Sequence, residues 1–304
     1  MAYSKYQKVW TAVHQNKYSL LYSKDGIKWT QPLSTQIFNR ANCIACNSSP
    51  TQTLWIAGSD IDVGYLNSLA YSVDAINWII IQNSGSILNN VSCIEYSYFQ
   101  NLWVAGGSNR GSKVCMCYSK NGFNWTSFTP QTVEPYPTVT TIKYEPVQDY
   151  WMMSYSLGFM YSKYGTKWTN ISSIVVTNRT SIAYSASQQL WISGGYNNTV
   201  NGNGNSIVYS TDGFSWTGIG QLIYNLNTTQ YCVCYNISQN IWVSGGTSTG
   251  NSLSYSTDGF SWTGIGTNII ASVYSVIYHE RLISDYVAYQ LFTTGKVSDT
   301  YTAS

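Results

Sequence analysis

The chain has 304 residues, of which 44% are apolar, 15% aromatic and only 9% charged, with a formal net charge of +2. That apolar content excludes intrinsic disorder despite the low charge, and so small a net charge gives no electrostatic case for binding nucleic acid or an anionic membrane. No apolar run reaches the ~18 residues of a membrane span, and the N-terminal MAYSKYQKVW lacks the apolar stretch of a signal peptide, so an intracellular location is expected.

Two short motifs alternate along the chain. The first is VWTAVH at 9–14, which returns as LWIAGS (54–59), LWVAGG (102–107), YWMMSY (150–155), LWISGG (190–195) and IWVSGG (241–246). The second is YSKDGIKWT at 22–30, which returns as YSVDAINWI (71–79), YSKNGFNWT (118–126), YSKYGTKWT (161–169) and, twice and identically, YSTDGFSWTGIG at 209–220 and 255–266. All 12 tryptophans belong to one motif or the other, so they read as structural and none is left for a private binding site. A period of roughly 40–50 residues is that of propellers and solenoids.

Residues 91–126 show the unit. VSCIEYS, LWVAGG, VCMCYS and FNWT read as strands A to D, separated by YFQN, SNRGSK and NG. Short strands joined by hairpin turns make an antiparallel meander, and one such sheet needs neighbours to cover it. The expected fold is all-β: a β-propeller of four-stranded antiparallel blades, filling residues 1–304 as a single domain. Six blades are plain. The residues after Trp262 contain SVYSVIY, HER, LISDYVAYQLF and SDTYT, and read as a degenerate seventh. The alternative is six blades, with the tail adding a closing strand to the first.

The C–D turn places Asp25, Asp74, Asn121, Asp212 and Asp258 where a side chain accepts backbone N–H bonds within a tight turn. The second copy has Ala75 in place of glycine and the fourth has Tyr164 in place of the acid. That tolerance argues for a fold element, not chemistry. The stretch Ser210-Thr211-Asp212-Gly213-Phe214-Ser215-Trp216 resembles the Asp-box, or BNR, repeat of sialidase-type propellers, one residue shorter. The Asn-, Tyr- and Ser-rich chain as a whole resembles uncharacterised propellers associated with giant viruses. These resemblances imply a propeller, in the cytoplasm or packaged in a viral particle, and specify activity poorly.

There are seven cysteines: Cys43 and Cys46 as C-x-x-C, Cys115 with Cys117 and Cys232 with Cys234 as C-x-C, and Cys93. Only His14 and His279 add imidazoles, so reduced strand cysteines are expected, with no metal and no cofactor.

In a propeller the A–B and C–D turns share one face and the B–C and D–A connections the other. The A–B turns SKYQK, SYFQN, SASQQ and NISQN are near-copies and read as scaffold, whereas the B–C loops run from SLG in the fourth copy to SDIDVGYLNS in the second and YNNTVNGNGNS in the fifth. The diversified face is the expected recognition surface, with Arg40, Asp60, Asp62, Arg110, Tyr136, Arg179, Tyr196, Asn197 and Asn203 as candidates. Sialidases hold a substrate carboxylate with three arginines, which the resemblance would assign to Arg40, Arg110 and Arg179. However, their F/Y-R-I-P stretch is missing, the nearest being FNRAN at 38–42, and no Tyr–Glu nucleophile pair stands out. Asp60 and Asp62 share one loop and read as a solvated turn. The glycine-rich GNGNS at 202–206 has no helix after it to bind an anion. The expected function is a non-enzymatic protein–protein interaction or particle-associated structural propeller, monomeric, binding neither nucleic acid nor membrane. A glycan-binding, lectin-like propeller is the alternative, and a sialidase-like hydrolase the remote one.

Overall fold

The computed structural model describes residues 1–13, 19–33, 37–62, 64–130, 138–155, 158–171, 177–196, 205–220, 223–224, 229–247, 250–268 and 270–277. It is a β-propeller built of antiparallel blades, six of them. Blade 1 is β1 (Ala2–Ser4), β2 (Val9–Val13) and β3 (Leu20–Ser23), its fourth strand reduced to a bridge between Tyr22 and Thr30. Blade 2 is β4 (Ala41–Cys46), β5 (Trp55–Ser59), β6 (Leu69–Ser72) and β7 (Ile79–Ile80), followed by the single-turn helix α1 (Ser84–Ile87). Blade 3 is β8 (Asn90–Ser97), β9 (Leu102–Ser108), β10 (Met116–Ser119) and β11 (Thr126–Phe128), and blade 4 is β12 (Val139–Glu145), β13 (Tyr150–Tyr155), β14 (Gly158–Ser162) and β15 (Thr169–Ile171). Blade 5 is β16 (Thr177–Ser185), β17 (Leu190–Tyr196), β18 (Ile207–Ser210) and β19 (Thr217–Gly218), and blade 6 is β20 (Thr229–Asn236), β21 (Ile241–Thr247), β22 (Leu253–Ser256) and β23 (Thr263–Gly266). The chain divides into two compact units: Met1–Lys24 with Trp29–Ile174, which carries the sheets of blades 1 to 4, and Asp25–Lys28 with Val175–Ser304, which carries those of blades 5 and 6.

Within a blade the tryptophan of the second strand faces a tyrosine of the first. Tyr3–Trp10, Tyr96–Trp103, Tyr144–Trp151, Tyr184–Trp191 and Tyr235–Trp242 are register partners with ring centroids 4.5–5.0 Å apart. Blade 2 has Cys46 opposite Trp55 instead. These tilted contacts suit the ring quadrupoles.

Between blades, the glycine of the second strand makes room for the first strand of the next. A Cβ on Gly58 would lie 2.5 Å from Val91 Cγ1, and one on Gly106 2.5 Å from Val139 Cγ1. The apolar clusters accordingly straddle neighbouring blades: Val9 and Leu20 with Ile44 and Trp55, Leu54 and Ile56 with Val91 and Trp103, Leu102 and Val104 with Val139 and Trp151. In the second unit, Leu190 and Ile192 pack with Val233 and Trp242.

Six blades replace the seven expected first. The chain beyond β23 does begin as another first strand: Ser272 bridges Thr247, the Val273 N–H donates to the Gly246 carbonyl at 3.0 Å, and a Cβ on Gly245 would lie 2.3 Å from Val273 Cγ1. Val273 thus takes the place that Val91 and Val139 hold. The apolar alternation of SVYSVI was a true strand-A signal, but one position of bridging is all that follows it among the described residues. The remainder of the supposed seventh blade, 278–304, lies outside them.

The C–D turns are as regular as their sequence. The Asp212 Oδ1 accepts the Phe214 N–H at 2.7 Å, the Ser215 N–H at 2.6 Å and the Ser210 hydroxyl at 2.9 Å, while the Trp216 indole N–H donates to the Gly213 carbonyl at 3.0 Å. Asp25, Asp74, Asn121 and Asp258 each accept the same pair of N–H groups at 2.7–2.9 Å. The residue after each is left-handed: Gly26, Gly122, Gly213 and Gly259 at φ 75–80°, and Ala75 at 66°.

Candidate functional site: a loop cluster braced by asparagine and aspartate

Each first strand of blades 2 to 6 carries a register shift near its start, as between Ala41 and Cys43 or Val91 and Cys93. A bulge re-aims side chains at the end of a sheet. In β4 the residue inside the shift is Asn42, whose amide donates to Asp60 Oδ1 at 3.1 Å and to the Val91 carbonyl at 3.3 Å. Asn90, opening β8, donates to the same carboxylate oxygen. Asp62, two residues on, accepts the Asn39 amide at 2.7 Å. The stretch is held from below as well: Ile61 N–H bonds the Asn89 carbonyl at 2.9 Å, Asp62 and Tyr65 bridge, and Asn89 Oδ1 accepts the Arg110 N–H at 2.9 Å.

The B–C loop of blade 2 is therefore tied to the connection before β4, the connection before β8 and the B–C loop of blade 3. Gly85 in α1 permits this closeness, since a Cβ there would lie 2.0 Å from the Leu66 carbonyl oxygen. Asp60 is half-buried and engaged by amides, not the solvated turn residue expected; the bulge at Asn42, invisible in the sequence, brings its partner to it. Arg40, Asp62 and Arg110 are exposed around the cluster. Its carboxylates brace the loops by accepting hydrogen bonds from the amides of Asn39, Asn42 and Asn90.

The other candidates are placed only in part. Arg179 lies in β16, at backbone register with Gly195, and Tyr196 ends β17 opposite Thr177. Ala41, one residue after Arg40, holds the register position of Arg179, so the two arginines are offset by one residue. Tyr136, Asn197 and Asn203 lie outside the described residues, as do His14 and His279.

The cysteines sit in strands, except Cys115, which directly precedes β10. Cys43 Sγ faces the Val91 carbonyl at 3.5 Å, while Cys46 Sγ accepts the Ser48 N–H at 3.1 Å. Three residues apart on a strand, the two thiols of C-x-x-C point to opposite faces. Burial pushes the Cys46 and Cys115 thiols up to about 12, and raises those of Cys43, Cys93, Cys117 and Cys232 as well. Among the described residues no three His, Cys, Asp or Glu side chains converge as a metal site.

On the opposite face the A–B turns hold a residue whose role the sequence reading missed. Gln100 Oε1 accepts the Trp151 indole N–H at 2.9 Å, and its amide donates to the Lys163 carbonyl at 2.8 Å and Asp149 Oδ1 at 3.1 Å. Gln7 spans likewise to Trp55 (2.8 Å) and the Val73 carbonyl (2.5 Å), and Gln188 to Trp242 (2.7 Å) and the Thr257 carbonyl (2.8 Å). Blades 1, 3 and 5 are thus each clamped to the next. The signal was present: glutamine stands three residues before the second-strand tryptophan in all six copies, as Gln7, Gln52, Gln100, Gln148, Gln188 and Gln239.

The architecture is that of the β-propeller class, and solved structures share it. The chain is similar to the extracellular domain of a hybrid two component system from B. thetaiotaomicron, at 11% identity and a TM-score of 0.58, over 91% of this chain and 36% of that one. It is also similar to a chain of the nidogen/laminin complex, at 10% identity and a TM-score of 0.54, over 81% of this chain and 88% of that one. The chain thus spans little more than a third of the first of these. At such identity the likeness is one of fold. No family model matches, and no curated protein does. Among the described residues, no helix is long and apolar enough to cross a membrane.

Proposed function

We propose that this chain is a non-enzymatic β-propeller that binds a protein partner through the B–C and D–A loops, with Asp-box-like turns as its scaffold. The observation that carries this is the bracing around Asp60: loops from blades 2 and 3 are fixed to one another by side-chain amides, while Arg40, Asp62 and Arg110 stand exposed around them. A preformed surface of varied side chains on a rigid frame lowers the ordering cost of association. The setting we favour is an intracellular monomer of giant-virus type, free or packaged in a particle, and the twin dodecamers and Asn-, Tyr- and Ser-rich composition support it.

The experiment is affinity capture from the native source followed by mass spectrometry, with the wild type beside an Arg40→Glu/Arg110→Glu variant. Loss of a stoichiometric protein from the variant, with an unchanged melting temperature, is expected. Capture of the same proteins by both forms would overturn the placement. A glycan ligand is the second reading, favoured by four asparagines, Asp60, Asp62 and Tyr65 gathered at one place. A glycan array in which binding disappears with Asp62→Ala and Asn39→Ala would replace the first reading with it.

A further inference from the structure

The A–B turns are uniform only in their frame. In blade 3 the Gln100 N–H bonds the Ser97 hydroxyl at 3.1 Å, and Asn101 is left-handed at φ 47°; blades 1 and 5 repeat this with Ser4, Gln7 and Lys8, and with Ser185, Gln188 and Gln189. The two residues between serine and glutamine are exposed in each case, and they differ: Lys5-Tyr6, Tyr98-Phe99 and Ala186-Ser187. The frame thus presents a variable dipeptide to solvent.

Blades 3 and 4 concentrate apolar surface there. Tyr98 (68% exposed), Phe99 (72%), Val147 (73%) and Tyr164 (68%) are among the most exposed large apolar side chains described. Gln100 ties their turns together through Asp149 and the Lys163 carbonyl. Apolar side chains gathered together on a surface, unlike ones scattered singly, mark an interaction site; Tyr98 and Phe99 touch, and the Gln100 bond to Lys163 brings the turn of Tyr164 to theirs. The charges are one-sided. Glu145 is buried and accepts the Val147 N–H, and Asp149 is occupied by Tyr144, Gln100 and Lys163. Lys120 and Lys167 are exposed and make no ion pair among the described residues.

We infer that the A–B and C–D turns of blades 3 and 4 form a second docking surface, for an acidic protein segment with apolar side chains. Its apolar groups pack among Tyr98, Phe99 and Tyr164, and its carboxylates face Lys120 and Lys167. A nucleic-acid strand fits less well. Phosphate polymers draw on many cations, whereas this patch offers two, and Tyr98 and Phe99 already meet edge to face at 6.1 Å.

The test is an array of 12-residue peptides in which Asp or Glu alternates with Leu, Ile, Phe or Trp. Matched arrays carry Gln for the acids or Ser for the apolar residues, and a dT oligonucleotide of equal length is added. Retention of acidic–apolar peptides alone is expected. It should fall tenfold or more in Lys120→Glu/Lys167→Glu and in Tyr98→Ser/Phe99→Ser, each with unchanged melting, and persist in Arg110→Glu. Equal retention of the Gln peptides, insensitivity to both double variants, or preference for the oligonucleotide would overturn the inference. Sensitivity to Arg110→Glu alone would move the binding to the loop face and leave only the reading of the preceding section.

Discussion

Ala75 and Val9 lie in one apolar cluster at the junction of the first two blades, and each is an exception among its counterparts. At three other junctions the turn residue is glycine and the facing residue leucine: a Cβ on Gly122 would lie 2.4 Å from Leu54 Cδ2, one on Gly165 2.8 Å from Leu102 Cδ2, and one on Gly259 2.4 Å from Leu190 Cδ2. The shorter valine leaves room for the alanine methyl. Val9→Leu should therefore overpack the junction and cost about 1–3 kcal/mol. Adding Ala75→Gly should recover most of it, a coupling of about 0.5–3 kcal/mol in a double-mutant cycle followed by denaturant unfolding. Additive effects would show that the two sites are independent.

Gln100→Met keeps volume but leaves the Trp151 indole N–H, on a residue with no exposed surface, without its acceptor. A buried donor left unsatisfied costs about 1–3 kcal/mol, to be read as a lower urea midpoint with an unchanged slope. Gln52 supplies the comparison, because its side chain is exposed. Gln52→Met should change stability by less than about 0.5 kcal/mol.

Asp212→Ala should cost about 0.5–2 kcal/mol, the loss of a local cap, whereas Asp212→Asn should cost little, since Asn121 accepts the same two N–H groups at 2.9 Å without a charge. Burial alone would raise the Asp212 carboxyl, but the Ser215 and Phe214 N–H groups and the Ser210 hydroxyl outweigh it and hold it at about 2. Asp74 and Asp258 are lowered as well, against the same burial and by the same kind of bonds. A carboxylate with a depressed folded-state pKa stabilises above its unfolded value near ~4 and loses that contribution as pH falls toward the folded one. Melting temperatures should thus drop between about pH 4 and pH 2, and Asp212→Asn should flatten part of that slope.

Thiolates, not thiols, react and bind metals. Cys43, Cys46, Cys93, Cys115, Cys117 and Cys232 should stay unreactive to a disulfide reagent at neutral pH until denaturant is added, and elemental analysis should find no stoichiometric zinc. Rapid modification of any of these six in the native protein, or one zinc per chain, would contradict this prediction.

Much of the fold was legible because its constraints are local. Strand alternation, the Asp-Gly turns and the two tryptophans per copy each act within a few residues. What escaped the sequence reading depends on a neighbour. The second-strand glycines look like weak strand residues until Val91 and Val139 are seen crossing them. The Asn42–Asp60 bond needs a bulge, and the alanine at position 75 makes sense only beside Val9. The tail misled for the same reason, since SVYSVI obeys the local rule for a first strand and Val273 takes that position.

The glutamine clamp has a consequence for how such a chain changes over time. What Gln7, Gln100 and Gln188 grip in the next copy is an indole present in every copy and a main-chain carbonyl, belonging to Val73, Lys163 and Thr257 respectively. A carbonyl is the same whatever side chain it belongs to. At the clamp, though not in the apolar core where Val9 and Ala75 are matched, one copy can therefore follow another without refitting, and a turn copied from one onto its neighbour leaves these bonds intact. YSTDGFSWTGIG, present twice, has the form of such an exchange. The same indifference frees the loops at the far end of each copy to be shuffled as interchangeable parts.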